Sequence, residues 1–184
     1  MKTFKLVLCL YCLLVCFSCK NKSMEKQGNN LLEQKTFTNP LLPRGPDPWA
    51  LWHDGNYYYM HTMADSIVLW KTSDITDLEN AEKKTIWIPT DPANSYDLWA
   101  PEIHYIDGKW YVLYTADDGN SDNHQLYVLE NTSKDPFDGK FSMKGRISTD
   151  KDNNWAIDGS FFEHNGKLYM VWSGWQTRRV NTQT

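Results

Sequence analysis

Three stretches of this chain follow one outline: "GPDPWALWHDGNYYYMHT" (45–62), "WAPEIHYIDGKWYVLYTA" (99–116) and "AIDGSFFEHNGKLYMVWSG" (156–174). In each, a short apolar and aromatic run leads into Asp-Gly or Asn-Gly, and a second β-branched and aromatic run follows. The turn glycines Gly55, Gly108 and Gly166 fall 53 and 58 residues apart. Asp-Gly or Asn-Gly between such runs is the strongest short-range hairpin signal, because both central residues of that turn take positive φ. Each repeat therefore opens with two antiparallel strands. "IVLWKTS" and "HQLYVLEN" supply further strands, and no segment sustains a helical period. An all-β unit recurring at this length fits the four-stranded blade of a β-propeller, with a β-sandwich as the competing architecture.

The repeats also carry acids in matched places. Asp47 and Asp158 each precede their turn glycine by eight residues. In the middle repeat that slot is Ala100, and Glu102 follows two residues on, on the same face of a strand whose side chains alternate. Equivalent slots of successive blades face one axial cavity, so the three carboxyls are expected to converge. The competing explanation is that each aspartate only caps a turn, which aspartate does well. Two carboxyls around an aromatic-walled pocket suit glycoside hydrolysis, in which one protonates the leaving oxygen and the other activates water or attacks the anomeric carbon. Aspartic peptidases also pair two acids, but the Asp-Thr/Ser-Gly context they use is absent. His61, His104, His124 and His164 lack helical metal-ligand spacing, so no metal site is expected from them.

The N-terminus reads as a targeting segment. Lys2 and Lys5 precede the apolar run Leu6 to Phe17, which is too short to span a bilayer comfortably. The run ends at Ser18-Cys19, which resembles a bacterial lipoprotein signal with Cys19 as the lipidated residue, although Cys16 stands where leucine is usual. An ordinary secretory signal is the alternative. Residues 1–19 are thus read as signal, 20–35 as a polar tether, and 36–184 as the folded domain. All four cysteines lie in the signal, so the domain has no disulfide framework. The net charge of −4, with no basic cluster beyond Arg178-Arg179, argues against nucleic acid as a partner. The expected location is the bacterial cell envelope, lipid-anchored at the membrane or secreted.

With these residues in view, "NPLLPRGPDPWALWHDGNYYYMHT", "LWAPEIHYIDGKWYVLYTA" and "WAIDGSFFEHNGKLYMVWSGW" resemble, in order, the first three blade motifs of glycoside hydrolase family 43. The resemblance implies a five-bladed β-propeller, of which about three blades fall in this chain, and inverting hydrolysis of arabinose- or xylose-containing polysaccharides such as arabinan and arabinoxylan. It implies Asp47 as the general base, Asp158 as the auxiliary acid that orients the proton donor, and Trp99 as a flank of the bound sugar; a core role for Trp99 is the alternative. Glu102 is expected to face substrate. The family's proton donor, a fourth-blade glutamate, is expected beyond residue 184. No cofactor is called for, although a complete propeller leaves room for a structural calcium. The motif wording favours α-L-arabinofuranosidase over β-xylosidase or endo-arabinanase. A non-catalytic glycan-binding lipoprotein and an inactive gene fragment stand as the other readings.

Overall fold

The computed structural model describes residues 36–177. The signal segment with Cys19 and the tether lie outside them. Ten strands are present among the described residues: β1 Trp49–His53, β2 Asn56–Met60, β3 Ile67–Thr72, β4 Glu82–Trp87, β5 Tyr96–Ile106, β6 Lys109–Asp117, β7 Gln125–Asn131, β8 Ser142–Ile147, β9 Ala156–His164 and β10 Lys167–Gly174. They form two four-stranded antiparallel meanders, β1-β2-β3-β4 and β5-β6-β7-β8, and the hairpin β9-β10. Among the described residues, helix is confined to short 3-10 turns such as Pro92–Asn94 and Ser121–Asn123.

The three hairpins fall where the repeat places them. His53 pairs with Asn56, Ile106 with Lys109 and His164 with Lys167, which leaves two-residue turns at Asp54-Gly55, Asp107-Gly108 and Asn165-Gly166. All six turn residues have positive φ, from 46° at Asp54 to 79° at Gly55. That backbone matches the right-handed twist of the flanking strands, which explains the choice of residues.

Both four-stranded sheets bury apolar residues on two faces. In β3, Ile67 and Leu69 join one apolar cluster while Val68 and Trp70 join another. In β7, Tyr127 and Leu129 pack toward the first sheet's cluster, whereas Leu126 and Val128 pack with Ala156, Phe161 and Met170 of the third unit. Period-two alternation thus gives each strand an apolar side for each neighbouring sheet. Face-to-face stacking of meanders is how propeller blades bury surface. The first strands of the three units are neighbours, β1 against β5 and β5 against β9. Trp49 Nε1 donates to the Ile103 carbonyl at 2.9 Å, tying β1 to β5.

The joints between units repeat as well. Leu98 N–H donates to the Ala64 carbonyl, from the β2–β3 loop to the entry of β5, at 2.9 Å. Ala156 N–H donates to the His124 carbonyl, from the β6–β7 loop to the entry of β9, at 3.1 Å. Leu98 and Ala156 each lie two residues before the slots named above, Ala100 and Asp158. The same face of the structure therefore collects the strand entries and these loops.

Candidate active site

A cavity of about 220 Å³ opens on that face, lined by Asp47, Pro48, Trp49, Ala100, Glu102 and Asp158. The slots picked out by the repeat thus meet, and Glu102 joins them although the strand ladder slips by a residue between Trp99 and Glu102. A backbone feature common to all three slots produces the convergence. Asp47, Ala100 and Asp158 have φ of 51°, 42° and 52°. Left-handed φ is uncommon outside glycine, aspartate and asparagine being the usual exceptions, and it concentrates at functional sites. It falls two residues before β1 at Asp47 and within the first half of β5 and β9 at Ala100 and Asp158.

The two aspartates are held differently. Asp47 Oδ2 accepts a hydrogen bond from Thr62 Oγ1 at 2.8 Å. Thr62 Oγ1 in turn accepts from the Ala100 N–H at 2.7 Å, so its own proton is directed at Asp47. One hydroxyl thereby couples the first slot to the second. Thr62 was not singled out in the sequence, yet a signal exists. Hydroxyls recur seven residues after each turn glycine, at Thr62, Thr115 and Ser173. Where the slot acid is replaced by Ala100, the equivalent Thr115 Oγ1 is buried without a partner.

Asp158 has no such donor among the described residues. Burial against the cavity wall pushes its carboxyl above the ordinary carboxylate value, and the nearby charges of Asp47 and then Glu102 push it the same way. The side chain still reaches solvent on the open side of the cavity. Glycine follows it because a Cβ at 159 would come within 2.9 Å of Leu113 and 3.0 Å of Leu126, both fully buried. The Ile-Asp-Gly wording is therefore partly packing.

Glu102 is pinned by His104, whose Nε2 lies 3.1 Å from Glu102 Oε2. His104 is wedged between Trp49, at a ring separation of 5.0 Å, and Phe161 at 5.4 Å. Trp49, rather than Trp99, is the indole that lines the cavity. Trp99 is half-buried and stacks on His124 at 4.0 Å and 29°.

His124 belongs to the candidate cation group found among the described residues, with Asp97 and Asp117. Its Nδ1 lies 2.8 Å from the Ser121 carbonyl and 3.2 Å from Asp117 Oδ2, and its Nε2 lies 3.3 Å from the Asp97 carbonyl. Each ring nitrogen lies within hydrogen-bonding distance of an oxygen of the protein, and calcium prefers six to eight oxygens to an imidazole. The group fits a buried polar clamp beneath Trp99, and no cation is assigned to it.

The arrangement matches a known family. A model described as glycosyl hydrolases family 43 covers residues 37–184. The chain belongs to glycosyl hydrolase family 43. It is 38% identical over 145 residues to an extracellular exo-α-(1→5)-L-arabinofuranosidase of Streptomyces avermitilis, a match covering 75% of this chain and 30% of that protein. It is 35% identical to the enzyme of the same name from Streptomyces chartreusis, over 74% of this chain and 43% of that one. The crystal structure of an α-L-arabinofuranosidase from Lactobacillus brevis superposes with a TM-score of 0.71 at 31% identity, over 76% of this chain and 47% of that one. The chain thus spans less than half the length of these family 43 relatives. Its two complete meanders are propeller blades, and the third hairpin is part of another.

Proposed function

We propose that this chain contributes the water-activating side of an inverting α-L-arabinofuranosidase centre. The observation that carries the proposal is the cavity shared by Asp47 and Asp158, in which one carboxylate is held by a donor and the other is pushed toward its protonated form. The arabinofuranosidase names of the two Streptomyces relatives support the choice of sugar.

Asp47 takes a proton from a water as that water attacks the anomeric carbon. Thr62 occupies Oδ2 of Asp47, and Oδ1 is the oxygen that takes the proton. Asp158 repels added negative charge, and a proton donor placed beside it would keep its proton more readily, because like charges cannot ionise together cheaply. Glu102, engaged by His104, serves as a wall that adds to this field. Trp49 offers an apolar edge to the sugar ring. A lipid anchor at Cys19 would hold the protein at the cell envelope, with arabinan-type polymers as substrate.

The test is the anomer first released from an α-1,5-linked arabino-oligosaccharide, followed by NMR, in a complete family propeller carrying these residues. Inversion is expected, together with loss of turnover in Asp47→Asn by about 10²-fold or more. Retention of configuration, or an unchanged rate in Asp47→Asn, would overturn the assignment.

A further inference from the structure

A second hollow of about 240 Å³ lies on the face that carries the carboxylate cavity, among the β6–β7 loop, the β8–β9 loop and the outer strands of the second blade. Its lining includes Asp122, Gln125, Tyr127, Arg146, Asn153 and Trp155. We propose that this hollow is a distal saccharide subsite, which holds a neutral pentose polymer away from the point of cleavage. The proposal rests on the arabinan reading of the carboxylate site for its substrate class, though not for its existence.

The side chains are those a polyhydroxyl ligand needs. Arg146 is exposed and makes no ion pair or hydrogen bond among the described residues, so its guanidinium is available to vicinal hydroxyls. Asp122 and Asn153 add a carboxylate and an amide, which accept from and donate to hydroxyls. Trp155 and Tyr127 supply aromatic wall for the apolar side of a sugar ring.

The hollow is also rigidly built. Trp155 Nε1 donates to the Ser121 carbonyl at 2.9 Å, and its ring stacks on Trp175 at 4.8 Å and 18°. Tyr127 Oη donates to the Ala93 carbonyl at 3.2 Å. Gln125 is 7% exposed, and its Nε2 contacts the carbonyls of His124, Asn153 and Asn154 at 2.8, 3.2 and 3.0 Å, which clamps the two loops together. Its buried Oε1 has no partner, an acceptor left open beneath the hollow. Asn153 sits at a φ of 50°, a left-handed conformation held by the surrounding loop.

Position completes the case. Trp155 precedes Asp158 by three residues on the entry to β9, about 10 Å along an extended chain at ~3.3 Å per residue. A short oligosaccharide bridges that span. A ligand in the carboxylate cavity and a continuation in the hollow would then belong to one chain.

Retardation of the full chain in gels containing soluble arabinan, arabinoxylan or a mannan measures the subsite directly, with Arg146→Ala, Trp155→Ala and the cavity variant Asp47→Ala compared. The expected result is an affinity for arabinan about tenfold weaker in Arg146→Ala and Trp155→Ala, a loss equivalent to ~1.4 kcal/mol, with binding of free arabinose unchanged. Arg146 is exposed, so its variant folds even if Trp155→Ala does not. If the Arg146-dependent retardation survives Asp47→Ala, the subsite stands even where the cleavage reading fails. Dependence on Arg146 for the mannan alone would overturn the pentose assignment. Wild-type retardation of Arg146→Ala on every polymer would overturn the subsite.

Discussion

Replacing Asp158 by asparagine should make the fold more stable at neutral pH. Burial and the charges of Asp47 and Glu102 all raise the folded-state carboxyl above its ordinary value of 3.8. A group raised in this way binds its proton more tightly folded than unfolded. Its contribution is therefore neutral below the unfolded value, turns destabilising as pH climbs toward the folded one, and stays at full penalty above both. Asparagine removes the titration and keeps the shape. It also keeps the backbone, because asparagine tolerates the φ of 52° found there about as well as aspartate.

Like charges repel by about 1 kcal/mol at 4 Å in water and less beyond it. Asp158 is solvent-exposed on one side, so screening reduces both terms, and a net gain on the order of 0.5–1 kcal/mol is expected. For a domain of this size that corresponds to a rise of about 1–4 °C in melting temperature. Thermal melts of the chain and of Asp158→Asn from pH 3 to pH 7 should coincide at the acid end and separate toward neutrality. At ~1 M salt, where the Debye length falls to about 3 Å, the part of the separation due to Asp47 and Glu102 should shrink while the part due to burial remains. Asp158→Ala loses the same charge but places alanine at a left-handed φ, so it should melt below Asp158→Asn. A variant no more stable than the parent at pH 7, or a gain independent of pH, would refute the stored repulsion.

Thr62→Val leaves the Ala100 N–H and Asp47 Oδ2 without their shared partner and should lower stability by about 1–3 kcal/mol in urea unfolding, while Thr62→Ser should recover most of it. Gly159→Ala drives a methyl into the buried side chains of Leu113 and Leu126, and about 1–3 kcal/mol of overpacking is expected by the same measurement. Cys19→Ala should abolish incorporation of a palmitate analogue in a bacterial host, and equal labelling of parent and variant would remove the proposed anchor.

The hairpins and the pocket acids were legible in the sequence for one physical reason. A repeat brings equivalent residues to equivalent places, so the eight-residue offset of Asp47 and Asp158 from their turns carried three-dimensional information. Glu102 was expected from period-two alternation and does line the cavity, but the register shift between Trp99 and Glu102 means that regular alternation is not what puts it there. The aromatic wall was harder. Trp49 and Trp99 both stand near strand entries, and only the packing of His104 and His124 decides which indole meets the cavity. The Asp97, Asp117 and His124 clamp was not legible, because its members come from two strand ends and a loop with no shared spacing. The distal hollow was hidden for the same reason.

The alanine in the middle slot shows how one repeated position can be put to three uses. Asp47 uses its side chain and receives the Thr62 hydroxyl. Ala100 uses its backbone, since its N–H is what directs that hydroxyl. Asp158 uses its charge, held near two other acids without a donor of its own among the described residues. An aspartate at 100 would bring a further like charge to the cavity and give the buried Thr115 hydroxyl an acceptor, at the expense of asymmetry between the outer two acids. Acid and base roles are separated when paired carboxyls sit in unlike environments. Here the unlike environments are the Thr62 hydroxyl on Asp47 and, at Asp158, burial beside two other acids. The left-handed φ that all three residues share is needed whatever the side chain, which is why an alanine is found in a conformation that alanine seldom adopts.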